Sequence, residues 1–542
     1  MRQILKIGLW LAAAATFVNA QTTQGLISGR VANSVTGRAI ADAAVSYSST
    51  TLAASGTVQS DASGFYFLPL LSAGTYTVRV TVSGYQTQEL QQMELAVAGR
   101  IQVDFRVRPL NDVWESGQYR SVFLPGSKTI VTFYGPDVDS SRSGNFEAQK
   151  GQRGTLDTSA SYVIDPAQIS QLPLQGRDVY TMLVSLPQVS ADGGTGRGIG
   201  VTVSGQRPSS SNYLLDGVEN DNYLVTGPLI PVAPEAVQEY RISTNNYSAE
   251  YGRTAGFIAN AVTRAGDNAL HGIGYEYLKN EALNANDFQD NLKGTPRKVA
   301  RQNQFGYQAG GRLKKDRLFW SSALEQTISH GKLDPQTFKL PSTNFIPALN
   351  IPASRLGRQL LEKYPGPVVD TKNLTGNYTT ARAIVVDRLL ALERGDYNFR
   401  GGQDHIMTRL VLARFSQPNF IWSPYKDFIS GLHQNTTGLA GNWMHTWTPR
   451  ITSELKLSYS DDTLWWDRAH PEVPTLVSGD GTVLPGSPAF YAYRNHNRAF
   501  ETIYSNVWTR NNHVISAGLG ALVRAMTATS PRAATGCTYS AA

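Results

Sequence analysis

Alternation of side-chain character with a period of two is the feature that most constrains this chain. The eight residues HGIGYEYL put two sets of side chains on opposite faces of a strand: His271, Ile273, Tyr275 and Tyr277, and Gly272, Gly274, Glu276 and Leu278. A soluble sheet would pack the aromatic face on a core. A membrane barrel would turn that face to lipid and its small or polar face to a lumen.

Other segments repeat this pattern. Phe305, Tyr307 and Ala309 alternate with Gly306, Gln308 and Gly310, and a later strand sets Ile451, Leu455, Leu457 and Tyr459 against Glu454, Lys456, Ser458 and Ser460. Aromatic residues lie near strand ends, as interfacial girdles require. The long polar stretch Gln326–Glu393 is typical of an extracellular loop. A large soluble sandwich would show the same alternation, but together with the export signal and the plug-like region below, we predict that the apolar faces meet lipid.

The N-terminus predicts export. Arg2 and Lys6 precede the apolar run Ile7–Phe17, and Val18-Asn19-Ala20 forms a cleavage site before Gln21. Residues 1–20 are therefore predicted to be a secretory signal peptide, with an uncleaved anchor as the alternative.

The rest of the sequence contains no apolar run of the roughly 18 residues that a spanning helix needs, so membrane insertion would require a β-barrel. Cys537 is the single cysteine, which rules out a disulfide within the chain. The net charge of +7 is spread without a basic block, so nucleic acid is not a predicted partner.

Residues 22–108 predict a small β-sandwich. Tyr76, Val78, Val80 and Val82 share one strand face, as do Ile101, Val103, Phe105 and Val107 on another strand. The segments ISGRVANSVTGRAIADAAVSYSST and SDASGFYFLPLLSAGTYTVRVTVSGY resemble the carboxypeptidase regulatory-like domain, a transthyretin-like sandwich. No histidine lies in an H-x-x-E or H-E-x-x-H pattern, so the domain is predicted to be accessory and not catalytic.

Residues 109–160 are rich in Gly, Ser and charged residues and predict a periplasmic linker, partly disordered. One apolar patch, Thr129–Tyr134, has two interpretations. It either adds a strand to a partner's sheet or, as we favour, packs on a neighbouring domain.

Residues 161–265 predict one short amphipathic helix, with Val179, Met182, Leu183 and Leu186 on one face and Pro187 ending it. The run GGTGRGIG lacks G-x-G-x-x-G spacing and precedes the strand Val201–Val203, so it predicts a loop and not a phosphate site. LPLQGRD, GQRPSSSNYLLDGV and NNYSAEYGR resemble the α+β plug of TonB-dependent outer-membrane receptors, in particular the Oar-like branch, which also carries the regulatory-like domain.

The resemblance implies that residues 266–524 form part of an antiparallel transmembrane β-barrel. About eight to ten strands fit this length, too few to surround a plug, so the barrel is predicted to be incomplete. Residues 525–542 lack alternation and are predicted to be an aberrant tail that begins after Arg524. The expectation is the front half of a receptor, ended by truncation or a frame change.

No catalytic, cofactor-binding or metal-ligating constellation is predicted. Asp216, Glu219 and Asp221 form the one tight acidic group; Ca²⁺ binding is one interpretation, and an ordinary turn at Gly217 is favoured. Four tryptophans have two interpretations: they stack on sugars in the lumen or, as we favour, they anchor the protein at the membrane interface. They are Trp443, Trp447, Trp465 and Trp466.

The resemblance implies an outer-membrane receptor in contact with lipid, which takes up a scarce solute with energy from the TonB complex. The solute would be an oligosaccharide, a peptide or a metal chelate, and the TonB-contact segment is not placed, although Asn111–Ala160 is the region to test. The alternative function is a surface adhesin or polymer-binding envelope protein. A secreted metallopeptidase is the third possibility.

Overall fold

The computed structural model describes most of the chain between residues 25 and 529. The described residues are 25–49, 55–95, 99–110, 119–123, 130–134, 160–164, 168–169, 177–191, 201–222, 227–247 and 250–529, the last range without 333, 401–402, 419–422, 426–427, 429–430, 449, 467–469, 474–477, 487–492 and 511–512. The predicted signal peptide, the run GGTGRGIG and Cys537 lie outside them. Strands dominate, which confirms the mainly β prediction. None of the helices among the described residues has the length and apolar character needed to cross a membrane.

The first unit, the sandwich domain, has two sheets facing each other. Its strands are β1 (Gly25–Asn33), β2 (Ala44–Ser49), β3 (Ser55–Gln59), β4 (Phe65–Leu71), β5 (Gly74–Thr81), β6 (Gln88–Leu95), β7 (Arg100–Gln102) and β8 (Phe105–Val107). β1 pairs with β4, β7 and β8, and the second sheet runs β3-β2-β5-β6. The predicted inward residues Tyr76, Val78, Val80, Phe105 and Val107 are fully buried in the core between the sheets.

A hairpin from the predicted linker extends the second sheet. Its strands are β9 (Tyr119–Phe123) and β10 (Ile130–Tyr134), and β10 pairs antiparallel with Gln88–Gln91 of β6. Of the two interpretations of the apolar patch, the structure shows pairing with the neighbouring domain of the same chain.

The second unit, the plug region, has a five-stranded sheet in the order β11-β16-β17-β14-β15. Its elements are β11 (Ala160–Ile164), a 3-10 helix (Val179–Ser185), β12 (Val189–Ala191), β13 (Val201–Val203), a 3-10 turn (Pro208–Ser210), β14 (Asn212–Leu215), β15 (Val218–Glu219), a 3-10 turn (Pro234–Ala236), β16 (Val237–Asn245) and β17 (Ile258–Thr263). Tyr180 packs edge-on against Tyr213 and Tyr240 at 5.6 and 5.5 Å, and Tyr213 packs likewise on Phe257.

The predicted amphipathic helix is present, but it is 3-10 in type. The Asp178 side chain caps its start by accepting a hydrogen bond from the Tyr180 N–H at 3.0 Å. Leu186 is already extended, with φ −85° and ψ 149°. A proline disfavours the helical conformation of the residue before it, so Pro187 ends the helix as predicted.

The third unit, the long-strand sheet, has nine strands that are antiparallel neighbours in sequence order. They are β18 (His271–Lys279), β19 (Ala300–Lys314), β20 (Leu318–Lys332), β23 (Ala383–Phe399), β24 (Asp404–Pro418), β25 (Gly431–Thr448), β26 (Ile451–Trp466), β27 (Tyr493–Arg510) and β28 (His513–Thr529); β21 (Gln336–Pro341) and β22 (Thr375–Thr380) form a separate loop hairpin. Within the described residues the sheet is open, with β18 and β28 at its edges. β28 continues five residues past Arg524, so the predicted start of the tail is wrong.

The two ends of the long-strand sheet differ. At one end the connections are short, at residues 315–317, 400–403, 449–450 and 511–512, and at the other they are long, at 280–299, 333–382, 419–430 and 467–492. Short periplasmic turns and long extracellular loops are the rule for outer-membrane barrels. The predicted loop Gln326–Glu393 is wrong at both ends, because its first and last residues lie within β20 and β23.

The long loops hold short helices and a core of their own. The helical segments are Glu281–Leu283, Phe288–Leu292, Phe345–Ala348 and Leu356–Lys363. A separate apolar cluster, here called the loop cluster, joins three different loops and consists of Leu340, Leu360, Tyr364, Val369, Tyr425, Phe428 and Val473. Loop length therefore reflects folded structure and not only a polar linker.

The faces of the sheet are as predicted on two of the three strands analysed. Phe305, Tyr307, Leu457 and Tyr459 are exposed on the outward face, whereas Gln304, Gln308, Glu454 and Lys456 are buried on the face toward the plug region. On β18 the prediction is wrong, because Tyr275 pairs with Gly306 and so faces the plug region with Glu325. The Tyr275 hydroxyl donates to Glu325 at 3.2 Å. Alternation defines two faces but does not say which of them is inward.

A glycine-to-alanine pair tests the packing of the sandwich domain. A Cβ on Gly29 would lie 1.6 Å from the Val103 carbonyl oxygen, whereas a Cβ on Gly84 would meet no atom within 4 Å. We expect Gly29→Ala to destabilise the sandwich by about 3 kcal/mol or more, since overpacking against backbone forces strands apart. Gly84→Ala should cost about 1 kcal/mol, from its positive φ alone. Denaturant-dependent proteolysis of the full chain measures both, and equal losses would contradict the packing.

Candidate functional site

The plug region lies against one face of the long-strand sheet, and this interface is the candidate functional site. Apolar contact across it is limited: Ala323, Leu392 and Val411 of the sheet join the core of the plug region. Around these residues the two units meet through arginines and carboxylates that are mostly buried. The interface therefore combines a small apolar contact with several arginine–carboxylate pairs.

Asp216 is the central group. With Gly217 it forms the two-residue turn between β14 and β15, with φ of 54° and 72°, as a type I′ hairpin requires. Its Oδ1 accepts from the Thr263 N–H at 2.8 Å, and its Oδ2 accepts from the Thr263 hydroxyl at 2.9 Å and from Arg409 Nη1 at 2.5 Å. Arg409 also donates to the Leu215 carbonyl at 2.8 Å. One arginine of β24 thus holds the turn by two bonds.

The other two acidic residues of the predicted group have separate partners. Glu219 pairs with Arg253 at 2.7 Å and with Arg524, and the Asp221 carboxylate accepts from the Tyr213 N–H at 2.6 Å. The structure places the three residues in one hairpin but not around one point. Among the described residues, no group of three or more His, Cys, Asp or Glu side chains is arranged to hold a metal ion.

Arg394 on β23 forms a second link beside Arg409. It donates to both carboxylate oxygens of Asp396 at 2.8 Å and to the Thr263 carbonyl at 2.7 Å. Its Nη1 also lies 3.7 Å from Asp216. Bidentate pairs of this kind are among the stronger charge-assisted contacts, so β23 and β24 together fix the end of β17.

Glu325 is the centre of a third link, on β20. Arg388 of β23 lies 3.1 Å from its carboxylate, and Arg177 of the plug region lies 3.8 Å away. The Arg177 guanidinium also pairs with Glu235 and stacks on the Tyr277 ring at 3.7 Å. Burial opposes the charge of Arg177, but the hydrogen bond and charge of Glu235 outweigh it, so the pKa of Arg177 is raised.

A fourth link lies near the sheet edge formed by β28. Arg253 contacts Glu501 of β27 at 3.3 Å as well as Glu219, and the Glu219 N–H donates to Glu501 at 2.8 Å. Arg177, Arg253, Arg394 and Arg409 were not predicted as site residues. LPLQGRD and NNYSAEYGR contain the first two, but the sequence gives no signal for the sheet carboxylates that they meet, Glu325 and Glu501, which lie far along the chain.

The four tryptophans divide between the faces. In the strand register, Trp443 and Trp447 lie on the outward face near the short-turn end, and Trp465 lies on the outward face near the loop end. Trp466 is buried on the face toward the plug region. Three of them thus lie on the outward face near strand ends, whereas Trp466 faces inward; anchoring at the membrane interface stays a prediction.

The loop cluster is bordered by ion pairs. Lys339 contacts Asp480 at 2.7 Å across two loops, and the Val483 N–H donates to the Lys339 carbonyl at 2.8 Å. The hydrogen bond from Lys339 holds the pKa of Asp480 well below its usual range. These contacts join two of the three long loops that the loop cluster connects.

Comparisons with known proteins agree with this architecture. The Outer membrane beta barrel domain family matches residues 262–540, slightly more than half of the chain. The Carboxypeptidase regulatory-like domain matches residues 26–108, and the TonB-dependent Receptor Plug Domain matches residues 155–257.

A curated relative, the TonB-dependent transporter Oar of Myxococcus xanthus, is 26% identical over 329 residues, which are 59% of this chain and 28% of the relative. The chain therefore spans less than a third of that relative's length.

Solved structures similar to this chain include a transporter and two receptors. The outer membrane transporter YddB from Escherichia coli has a TM-score of 0.47 at 12% identity, covering 68% of this chain and 48% of its own. The siderophore receptor PirA from Acinetobacter baumannii has a TM-score of 0.41 at 15% identity, covering 68% of this chain and 48% of its own. The Ferric-Catecholate import receptor Fiu from E. coli K12 has a TM-score of 0.42 at 13% identity, covering 72% of this chain and 64% of its own.

Removing the Arg409 charge tests the central link. Arg409→Gln leaves Asp216 buried without its nearest cation, which we expect to weaken docking of the plug region by about 3 kcal/mol. Hydrogen exchange of the β14 and β17 amides in the full chain should accelerate accordingly. Asp216→Asn combined with Arg409→Gln should recover part of the loss. Lys339→Gln, which breaks an exposed pair far from the interface, is the matched control and should leave these amides unchanged; the same acceleration in both variants would refute the assignment.

The Lys339–Asp480 pair predicts how the loops respond to acid. Because the folded pKa of Asp480 is lowered, its contribution is present above the ordinary aspartate pKa of about 4 and is lost as pH falls through the lower folded value. The Val483 amide should therefore stay protected at pH 4, after correction for intrinsic exchange. Asp480→Asn should remove the pH dependence, and loss of protection well above pH 4 in the unmodified chain would contradict the pairing.

Proposed function

Because this chain belongs to the outer membrane beta barrel family and carries the plug domain of TonB-dependent receptors, we propose that it serves energised uptake across the outer membrane. A scarce or bulky solute binds at the extracellular side, and a pull from the TonB complex displaces the plug region to admit it. The domain order, with the regulatory-like sandwich first, supports this proposal. The protein acts in transport and not in catalysis.

The observation that carries the proposal is the charged interface. The plug region has an aromatic core to which only three described residues of the sheet contribute, and it also meets the sheet through arginine–carboxylate pairs. When the plug region moves away, water can solvate both charges of each pair, whereas opening an apolar core exposes its surface to water. A plug held in this way can shift while remaining folded.

Solute recognition is assigned to the loop cluster and to the plug segments beneath it, since loops on a rigid scaffold usually carry binding. Oligosaccharides, peptides and metal chelates are the classes to test. Contact with TonB is assigned to residues 111–160. Binding of a peptide of that range to the periplasmic domain of TonB tests this part, and absence of binding would place the contact elsewhere.

A disulfide between the plug region and the sheet tests uptake. A Cβ on Gly438 of β25 would lie 2.5 Å from Ile230 Cδ1, so the side chains at these two positions meet across the interface, and we choose them for the engineered disulfide. In a Cys537→Ser background, which removes the one cysteine of the sequence, we expect cells with the oxidised Ile230→Cys, Gly438→Cys protein to bind labelled oligosaccharide, peptide or ferric chelate without accumulating it. Reduction should restore accumulation.

The single-cysteine variants are the matched controls and should transport under both conditions. Accumulation that is equal in the oxidised and reduced double variant would mean that the solute does not need displacement of the plug region. Binding without accumulation in any variant, and without dependence on TonB, would instead support an adhesin.

A further inference from the structure

The outward face of the long-strand sheet contains an apolar groove that the proposed uptake does not use. It has a volume of about 610 Å³ and runs across β23 to β27, and its lining includes Leu410, Leu439, Gly441, Leu457, Tyr459 and Phe500. All six belong to the outward face in the strand register. An added Cβ at Gly441 would meet no atom within 4 Å, so the floor of the groove is open.

Glu393, an ionisable residue that lines the groove, faces outward. Its carboxylate is bound by a residue of β20, the neighbouring strand on the side away from β24. The Ser322 hydroxyl on β20 donates to the Glu393 carboxylate at 2.6 Å, and the Tyr307 hydroxyl lies 3.2 Å from Ser322. The wall toward Leu410 and Leu439 is apolar. Such a groove fits a hydrocarbon chain.

Toward the short-turn end, the groove leads to an exposed arginine. Asp404 accepts from Trp443 Nε1 at 2.9 Å and from His445 Nδ1 at 2.8 Å, and its other oxygen lies 3.5 Å from Arg400. The Arg400 side chain is 65% exposed. Four residues of strand, about 13 Å, separate the Asp404–His445 pair from Gly441, so the arginine lies at the depth of headgroups when the groove lies among acyl chains.

Arg400 belongs to a basic rim formed by the four short turns. Residues 312–318, 399–404, 448–451 and 510–513 contain seven basic and two acidic residues. The seven, all exposed, are Arg312, Lys314, Lys315, Arg317, Arg400, Arg450 and Arg510. The four long connections, by contrast, contain eleven basic and ten acidic residues. Positive charge is thus concentrated at the periplasmic surface of the membrane.

We propose that the groove and Arg400 bind one anionic phospholipid of the periplasmic leaflet. Its phosphate lies on Arg400 between the outward tryptophans Trp443 and Trp447, and one acyl chain fills the groove over Gly441. Charge complementarity with the rim selects an anionic headgroup over a zwitterionic one, because each basic residue near a membrane surface attracts anionic lipid. Aromatic residues at this level suit the headgroup boundary.

Lipid retention by the purified full chain tests this site. The protein in detergent is mixed with equal amounts of dioleoyl phosphatidylglycerol and dioleoyl phosphatidylcholine, and bound lipids are counted by native mass spectrometry. We expect one retained phosphatidylglycerol. Arg400→Gln should lower its retention about fivefold and leave phosphatidylcholine unchanged, whereas Arg400→Lys should keep it. Gly441→Phe should fill the groove and lower retention of both lipids.

Two matched controls complete the design. Lys315→Gln removes a rim charge on another turn, and Gly274→Phe adds a ring where a Cβ meets open space on β18; both should retain lipid as the unmodified chain does. Equal loss in these controls, full retention in Gly441→Phe, or equal loss of both lipids in Arg400→Gln would overturn the proposal. Because no transport is measured, this outcome is independent of the uptake experiment.

Discussion

The contact between the Asp216 carboxylate and Arg409 determines how the parts of this molecule fit together. Asp216 can occupy a buried turn only because Arg409 and Thr263 donate hydrogen bonds to its carboxylate oxygens. Arg409, in turn, can face inward from β24 only because groups of that turn accept its hydrogen bonds. Each charge would be costly without the other. A contact between the two units recurs at Glu325 with Arg177 and at Glu501 with Arg253, so the sheet and the plug region each complete the other's polar groups.

The inward face of the sheet is polar although it is largely covered, and its polar groups also pair with one another within the sheet. Glu454 and Lys456 lie 3.4 Å apart with almost no exposure, and Asn442 donates to Glu454 at 2.8 Å. In a soluble sandwich the covered face would be apolar and the exposed face polar. Here the exposed face carries Leu457, Leu519 and Val523, as a sheet whose outer solvent is hydrocarbon requires.

Local periodicity was enough to predict the sandwich domain and the presence of the three sheet strands analysed, β18, β19 and β26, because alternation is a property of neighbours in sequence. It failed at β18, where Tyr275 and Tyr277 have apolar rings but use a hydroxyl and a ring face to contact Glu325 and Arg177. It also failed at Gln326, because a polar residue within a strand cannot be told by composition from a loop residue; Gln326 lies in β20 and pairs with Phe305. The interface arginines could not be predicted, since register between distant strands decides which carboxylate each one meets.

The sandwich domain touches both of the other units. Arg100 pairs with Glu250 of the plug region at 3.2 Å, and Asp61 pairs with Arg450 on a short turn of the sheet at 3.6 Å. The sandwich domain, the plug region and the sheet are thus each in contact with the other two, so no two of them can change their relative position while all these contacts hold. Any travel of the plug region relative to the sheet must therefore break one of these two pairs or drag the sandwich domain with it. The side chain of Arg450 is 55% exposed and that of Arg100 is 26% exposed, so water competes more strongly for the pair between Asp61 and Arg450 than for the pair between Arg100 and Glu250.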